Sequence, residues 1–327
     1  MRVIRSGFSG CHGIRGESVK WRRHPRAGRM LVLYLVLAGV LLPSSAGADL
    51  EPRFLAPAPV GMNSGLVGYS YSVGNVMLDD ALPLEGTEST LNAITAGYAR
   101  TVDILGHLGR IWVAIPLANG KWTGDVEGRD SSATRNGLGD PIIGVVWHLY
   151  GAPALSMSEF ASYRPKTIVG LSIKARLPLG QHSSSNFFNL GTGRFQISPR
   201  IGLTHHIGKF ILEAYASAWF FTRNDDFYRG NSIEQDAMVA FQVHAAYRFR
   251  RGWWGAVSFG QSFGGETRLN GVRQDNSQTN NRVGVTFAFP VARTHALKIV
   301  LTSGISTRAG ADFNTVAIAW QHRWGAG

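Results

Sequence analysis

The feature that most constrains this chain is an alternation of apolar and polar side chains with period two, repeated in stretches of about 11 to 15 residues. Residues 239–249 show it clearly. Their odd positions are all apolar or aromatic, whereas the even positions include Gln242, His244 and Arg248. Period two is the side-chain repeat of a β-strand. Stretches of this length exceed an ordinary strand and match the roughly nine to eleven residues that a tilted strand needs to cross a bilayer.

Twelve such stretches follow residue 62, and we predict a strand for each: 64–76, 91–103, 107–118, 138–149, 166–178, 194–206, 209–223, 235–249, 252–264, 280–290, 295–306 and 313–324. The connections after the second, sixth, eighth and tenth strands are tight. Most of the others are long and polar, as at 119–137 and 180–193. Outer-membrane barrels combine short periplasmic turns with long outer loops in this way. The connection 150–165 is long where a short one is expected, which indicates either a periplasmic insertion or a miscounted strand.

A water-soluble β-sandwich also alternates, so it is the competing interpretation. Strand length favours the membrane barrel, and so do the aromatic residues near strand ends, such as Trp253, Trp254 and Phe220, where an interface girdle belongs. The last strand also ends on an aromatic residue, Trp324, which resembles the signal read by the barrel-assembly machinery. We therefore predict an all-β fold: a monomeric transmembrane antiparallel up-and-down β-barrel of about 12 strands, with both termini periplasmic.

The first 48 residues read as a cleaved signal peptide. A basic n-region (1–29) precedes an apolar h-region (31–42), and Ala46 and Ala48 occupy the A-x-A cleavage positions. This leaves residues 49–327 as the barrel. The first 48 residues hold eight of the 33 basic residues and one of the 21 acidic ones, so the net charge of +12 is mostly an export signal and does not indicate nucleic-acid binding. The only cysteine, Cys11, lies in the same segment, which predicts a barrel without disulfides.

The polar face of the strands predicts what lines the barrel lumen. A charge on the lipid face costs about 2–4 kcal/mol at mid-membrane, so the charged side chains are expected to point inward. The expected lumen-lining residues are Lys174, Arg176, Arg200, Glu213, Tyr215, Ser217, Trp219, Gln242, His244, Arg248, Arg282, Lys298 and Arg323. This mostly basic set fits two interpretations. It is either a space-filling network paired with loop carboxylates, or a constriction that favours anions or aromatic solutes.

None of the local motifs makes a convincing chemical site. Neighbouring residues on a strand point to opposite faces, so His205 and His206 cannot chelate one metal ion there. The glycines of "NLGTG" (189–193) lack the lysine and helix of a phosphate loop. Ser217 and His244 come from adjacent strands and are the nearest to a catalytic pair, but no third group is apparent. We therefore predict no enzyme, no cofactor and no metal.

Several ordered motifs resemble the outer-membrane transporter family named for the meta-pathway of phenol degradation. They are "GLGDP" (137–141), "LPLG" (177–180), "NLGTGRFQISPRIGLTH" (189–205), "AWFFTRNDDF" (218–227), "GGETRLNG" (264–271) and "AIAWQHRW" (317–324). The resemblance spans residues 62–324 and implies a β-barrel associated with the breakdown of aromatic compounds. It supplies no functional residues. Within the motifs, Gly137, Gly139, Asp140 and Pro141 read as a structural turn at the start of a strand.

Taken with the resemblance, the sequence predicts a channel in the cell outer membrane that passes small hydrophobic or aromatic, phenol-like molecules. Its expected partners are outer-membrane lipid, the solute and the barrel-assembly machinery, with no nucleic acid. The first alternative is an outer-membrane barrel with a structural or loop-mediated binding role and no transport. The second is an outer-membrane barrel enzyme.

Overall fold

The computed structural model describes residues 50–77, 84–126 and 129–326. The predicted signal peptide, 1–48, lies outside the described residues. The elements in chain order are β1 (Met62–Met77), β2 (Leu84–Ile104), β3 (His107–Val126), β4 (Arg129–Leu138), β5 (Ile142–Tyr150), α1 (Met157–Ser162), β6 (Thr167–Arg176), β7 (Gln196–Ile207), β8 (Phe210–Phe221), β9 (Asn224–Tyr228), β10 (Asn231–Gln235), β11 (Met238–Arg250), β12 (Trp253–Gly264), β13 (Thr267–Leu269), β14 (Val272–Arg273), β15 (Gln278–Pro290), β16 (His295–Ser306) and β17 (Gly310–Gly325).

The long strands form one closed antiparallel barrel. Neighbours in the chain are neighbours in the sheet, and β1 pairs with β17 from Met62 opposite Gly325 to Met77 opposite Gly310, which closes the ring. Segments β4 and β5 both pair with β3 and together form one interrupted barrel strand. Counted this way, the described residues form a barrel of twelve strands. The predicted twelve-stranded up-and-down barrel is confirmed. The four short strands β9, β10, β13 and β14 form a separate sheet.

The alternation in the sequence becomes an alternation of exposure across the barrel wall. In β8, Phe210 and Phe220 are about half exposed, whereas Glu213 and Tyr215, at odd positions, are buried. The exposed row is mostly apolar in the long barrel strands and forms the surface that lipid covers in an outer-membrane barrel. Rings cluster on this surface near the turns after β11 and β15, where Trp253 stacks on Phe289 with ring centroids 5.0 Å apart. Trp254, predicted to join this girdle, instead points inward and is buried.

One end of the barrel carries short connections, and we call it the short-turn end. Two residues each join β2 to β3, β7 to β8, and β11 to β12. The long connection after β5 lies at the same end, because its Pro153 forms a β-bridge with His107. This connection contains α1, six residues capped by Ser156, whose backbone N–H donates to Glu159 Oε2 (2.9 Å). Of the two alternatives for 150–165, the insertion is therefore correct. No described helix is long and apolar enough to cross a membrane.

The other end, the long-loop end, is more ordered than the sequence predicts. Residues 119–137 were expected to be a loop, but β3 continues to Val126 and pairs with β4 as a hairpin. That part of the prediction is wrong because, apart from Trp122, the hairpin consists largely of polar residues and glycines, which removes the periodic signal. The predicted strand 138–149 likewise begins only at Ile142, after an interruption at 139–141.

Three motifs meet at this interruption. The buried Asp140 accepts hydrogen bonds from Gly180 N (3.0 Å) and from Thr192 N and Oγ1 (2.8 and 2.7 Å). A Cβ on Gly180 or Gly191 would lie 2.7 or 2.6 Å from backbone atoms of this junction, so both positions require glycine. "GLGDP", "LPLG" and "NLGTG" therefore form one structural joint, which anchors the connection 177–195 to the barrel wall.

Candidate functional site

Residues 50–61 occupy the barrel lumen from the short-turn end to mid-wall, and we call them the plug segment. Glu51, Arg53, Phe54 and Leu55 are almost completely buried. Their contacts come from strands β3, β5, β6, β7, β8 and β12, which surround the lumen. At the entrance, Gly61 N donates to Thr101 O (3.0 Å) and Val60 N to Leu155 O (2.8 Å). No periodic pattern in residues 50–61 indicated this position.

Charged groups hold the plug segment. Glu51 forms an ion pair with Arg200 of β7 and lies 3.8 Å from Lys174 Nζ of β6. The backbone N–H of Arg53 donates to Glu213 Oε2 (2.5 Å), while Thr204 Oγ1 donates to Glu213 Oε1 (3.0 Å). Glu213 is the only carboxylate among the lumen-lining residues expected from sequence. The structure gives it a role, since it binds the plug segment while Glu51 brings a second negative charge inside.

Aromatic and aliphatic contacts complete the plug. The guanidinium of Arg110 donates to Phe54 O (2.7 Å), and the carbon atoms Cζ of Arg110 and Arg200 lie 5.1 and 4.8 Å from the centre of the Phe54 ring. Phe54 also meets the Tyr215 ring edge to face, with centroids 6.1 Å apart. Cations against ring faces are attractive, more strongly when water is excluded. Phe54 is therefore held by both charge and packing.

Two glycines make room for Leu55. A Cβ on Gly170 of β6 would lie 2.7 Å from Leu55 Cδ2, and one on Gly202 of β7 would lie 3.0 Å from Leu55 Cδ1 and 2.4 Å from the Tyr215 ring. The carbonyl of Leu55 lies 3.3 Å from His148 Nε2 of β5. The wall is thus shaped around the plug segment, and this part of the lumen is filled.

The thirteen residues predicted to line the lumen all lie on the inward-facing row. Arg200, Glu213, Tyr215, Ser217, Trp219, Gln242, His244, Lys298 and Arg323 are buried, and Lys174, Arg176, Arg248 and Arg282 are half-buried. They do not form one constriction. Lys174, Arg200 and Glu213 touch the plug segment. Arg248 reaches Gly208 at the short-turn end, and Arg282 lies in the outer half of β15. Any role of these residues in conduction stays a prediction.

Two wall residues that hold the plug segment were missed. Arg110 and His148 lie on inward positions of β3 and β5 and are buried. Ile111 and Ile115 form part of the exposed apolar row of β3, so the inward position of Arg110 could have been predicted from the same period. His148 was harder to assign, because residues 142–147 before it are apolar or glycine on both faces of the strand.

The structure does not assemble the Ser217–His244 pair. His244 Nδ1 is bonded to Ser258 Oγ (2.7 Å), and Ser217 Oγ donates to Ala240 O (3.4 Å). His205 Nδ1 is 2.8 Å from Thr167 Oγ1, on the opposite side of the strand from His206. In the part of the chain that the structure describes, no three His, Cys, Asp or Glu side chains cluster as a metal site would require.

A separate cavity of about 530 Å³ lies at the long-loop end. Side chains from β3, the connection 177–195, β9, β10 and β13 form its apolar wall: Trp122, Phe187, Phe188, Phe227, Tyr228, Ile233 and Leu269. Trp122 and Phe188 are stacked, with centroids 5.1 Å apart and planes 4° from parallel, and Phe187 meets Phe188 edge to face. The volume lies within the roughly 300–1,000 Å³ of small-molecule sites. Four different connections build the cavity, so no single motif predicted it.

Two arginines bring positive charge to this cavity. Arg135 of β4 lines it directly. Arg194 lies behind it and donates through Nη2 to Gln235, which is itself a lining residue. Arg194 lies outside the membrane strands, and burial lowers its pKa to about 10, so it stays protonated at neutral pH. The cavity is thus apolar with a basic margin.

A closed twelve-stranded barrel with an apolar outer surface and a charged, plugged interior defines the class of outer-membrane β-barrels. Within that class, the chain belongs to the family described as "Putative MetA-pathway of phenol degradation", whose profile matches residues 74–318. The resemblance predicted from motifs is confirmed. No curated protein sequence matches the chain.

Solved structures show the same fold. An outer-membrane channel from Pseudomonas putida F1 aligns with a TM-score of 0.69 at 19% identity, covering 82% of this chain and 97% of that one. The β domain of the Bordetella autotransporter BrkA aligns with a TM-score of 0.50 at 9% identity, covering 80% of this chain and 99% of that one. At these identities the likeness establishes the barrel fold.

Proposed function

We propose that the protein is an outer-membrane channel that passes small hydrophobic or aromatic molecules. The observation that carries the proposal is the outer cavity, whose stacked Trp122 and Phe188 and perpendicular Phe187 offer apolar contact at the end where solutes would arrive. Aromatic walls bind rings through offset and edge contacts in addition to burial. Membership of a family linked by its description to phenol degradation supports the same class of solute.

The plug segment explains why such a channel need not leak. It fills the lumen from the short-turn end to mid-wall, so water and ions would meet charged side chains and no open pore. Twelve-stranded barrels are also much narrower than the 16–18-stranded porins. In this proposal the solute is first captured in the cavity and passes inward when the plug segment rearranges. The thirteen predicted inward-facing residues would then border its path.

Export and insertion belong to the same proposal. Residues 1–48 would direct secretion and be removed, and the assembly machinery would read the last strand, β17, which carries Trp320 and Trp324 on its outer face. The solute and the outer-membrane lipid are then the partners of the finished barrel.

Current recordings in planar bilayers test the proposal. Benzyl alcohol added to the long-loop side of refolded protein should interrupt the residual current, and Trp122→Ala should weaken these interruptions. Trp324→Ala, an exposed ring at the other end, is the matched control and should leave them unchanged. If benzyl alcohol neither alters the current nor binds to the protein in detergent, the cavity is not a solute site and the proposal fails.

A further inference from the structure

The wall of the outer cavity contains a hydrogen-bond donor that lacks an acceptor. Arg135 donates through Nη2 to Asn186 Oδ1 (2.8 Å) and through Nη1 to Thr134 O (2.9 Å). Its Nε is buried and has no hydrogen-bond partner among the described residues. Buried polar groups are almost always paired, because leaving one unpaired costs free energy. A guanidinium stays charged at any physiological pH, so the natural acceptor is an anionic oxygen.

A second arginine, Arg194, also has a buried N–H group without a hydrogen-bond acceptor within the described ranges. The buried Nη1 of Arg194 also lacks a partner in the described part of the chain, while its Nη2 is fixed by Gln235 of the cavity wall. Arg194 also lies over the Phe221 ring, with Cζ 4.8 Å from the centroid, which fixes its position. One half-satisfied guanidinium group therefore lines a mostly apolar cavity, and a second lies directly behind its wall.

The barrel lumen between the cavity and the plug segment is positively charged, like the margin of the cavity. Its described inward-facing carboxylates are Glu51 and Glu213, and the cations on the surrounding wall are Arg110, Lys174, Arg176, Arg200, Arg282, Lys298 and Arg323. Several of these cations form ion pairs or hydrogen bonds, but the wall still carries more positive than negative charges. A narrow passage lined by one sign of charge attracts ions of the opposite sign and repels those of its own. A solute that carries a negative charge would therefore be favoured from the cavity inward.

We infer that the outer cavity binds aromatic rings that carry an oxyanion, such as an aromatic carboxylate. The ring would lie along the Trp122–Phe188 wall, and the anionic oxygen would pair with the positive charge of Arg135, which lines the cavity. This inference rests on the proposed function and narrows its substrate class from small hydrophobic molecules to aromatic acids. It assigns Arg135 as the residue that determines specificity, and the aromatic wall as the residues that determine ring binding.

Isothermal titration of the purified protein in detergent tests the inference, with benzoate and benzyl alcohol as matched probes. Wild-type protein should bind benzoate at least tenfold more tightly than benzyl alcohol. Arg135→Gln removes the guanidinium and its charge and leaves a shorter, polar side chain. It should abolish this preference and leave the affinity for benzyl alcohol within about twofold. Arg251→Gln removes one exposed charge at the short-turn end and should change neither affinity.

The outcomes separate the inference from the proposed function. Equal affinities in the wild type, or a preference that survives in Arg135→Gln, would overturn the inference and leave a channel for neutral rings standing. Binding of neither probe would overturn both. Cyclohexanecarboxylate supplies a comparison that needs no variant, since it carries the charge without the aromatic ring. It should bind more weakly than benzoate, and equal binding would remove the role of the aromatic wall.

Discussion

The ion pair between Glu51 and Arg200 is the contact whose loss should most weaken the plug segment. Glu51→Gln keeps the shape of the side chain and removes its charge, which leaves the buried Arg200 without its carboxylate. Breaking a buried pair by removing one partner costs about 3–5 kcal/mol. Lys174, the other neighbour, is more exposed (12%) and adds less. A cost of about 3 kcal/mol would shift the equilibrium between seated and displaced plug segment by roughly 100-fold.

Two measurements detect this change in the population of the displaced plug segment. In planar bilayers, Glu51→Gln should open more often or for longer than the wild type, and amide hydrogen exchange of residues 50–61 should be faster. The double variant Glu51→Gln, Arg200→Gln removes both charges of the ion pair, so only the more exposed Lys174 loses its carboxylate. It should recover part of the protection, which a double-mutant cycle quantifies. The same substitution at the exposed Glu88 is the control and should have no effect.

Unchanged current and unchanged exchange in Glu51→Gln would refute this reasoning. That result would mean that the plug segment is held by the packing of Phe54 and Leu55, with the ion pair contributing little. A fully additive double-mutant cycle would lead to the same conclusion, because independent sites add and coupled sites do not.

Three further outcomes are expected. Asp140→Ala removes the acceptor of three hydrogen bonds and should destabilise the joint by about 3–6 kcal/mol, seen as protease cleavage within 177–195, whereas an intact connection would contradict it. Trp122→Ala should weaken ring binding by roughly 2- to 12-fold in titrations, and unaltered affinity would place the ring elsewhere. The hydrogen bond from Arg273 lowers the pKa of Glu266 below 4.5, so this pair stabilises the outer loops above that pH and loses its effect as pH falls through the lowered value. The protection factors of β13 and β14, which correct the exchange rates for their intrinsic pH dependence, should fall on acidification in the wild type and less in Glu266→Gln.

The barrel could be predicted from sequence because lipid on one side and a polar lumen on the other impose period two on every strand. Prediction and structure agree to the residue for 295–306 and within three residues for most other strands. The exceptions lie above the membrane. There β2 extends before its predicted start and β3 beyond its predicted end, because polar residues and glycines predominate in these extensions and read as loop.

Neither the plug segment nor the cavity could be predicted from local sequence patterns. Residues 50–61 have no periodicity, and their burial depends on partners such as Arg200, 149 positions away. The cavity depends on loops that meet only after the barrel has closed. Trp122 and Phe188 were each visible in the sequence, but their stacking was not. The inward-facing residues could be predicted from sequence, whereas their contacts with the plug segment depend on the folded structure.

The position of the plug segment also has an evolutionary consequence. Residues 51 and 200 meet through their side chains, at a separation of 149 positions. A family member that replaces one member of such a pair leaves the other without its counterpart inside a closed barrel. Compensating replacements are therefore expected, and positions 51 and 200 should covary among related sequences. That covariation would report an occupied lumen in relatives whose structures are unknown.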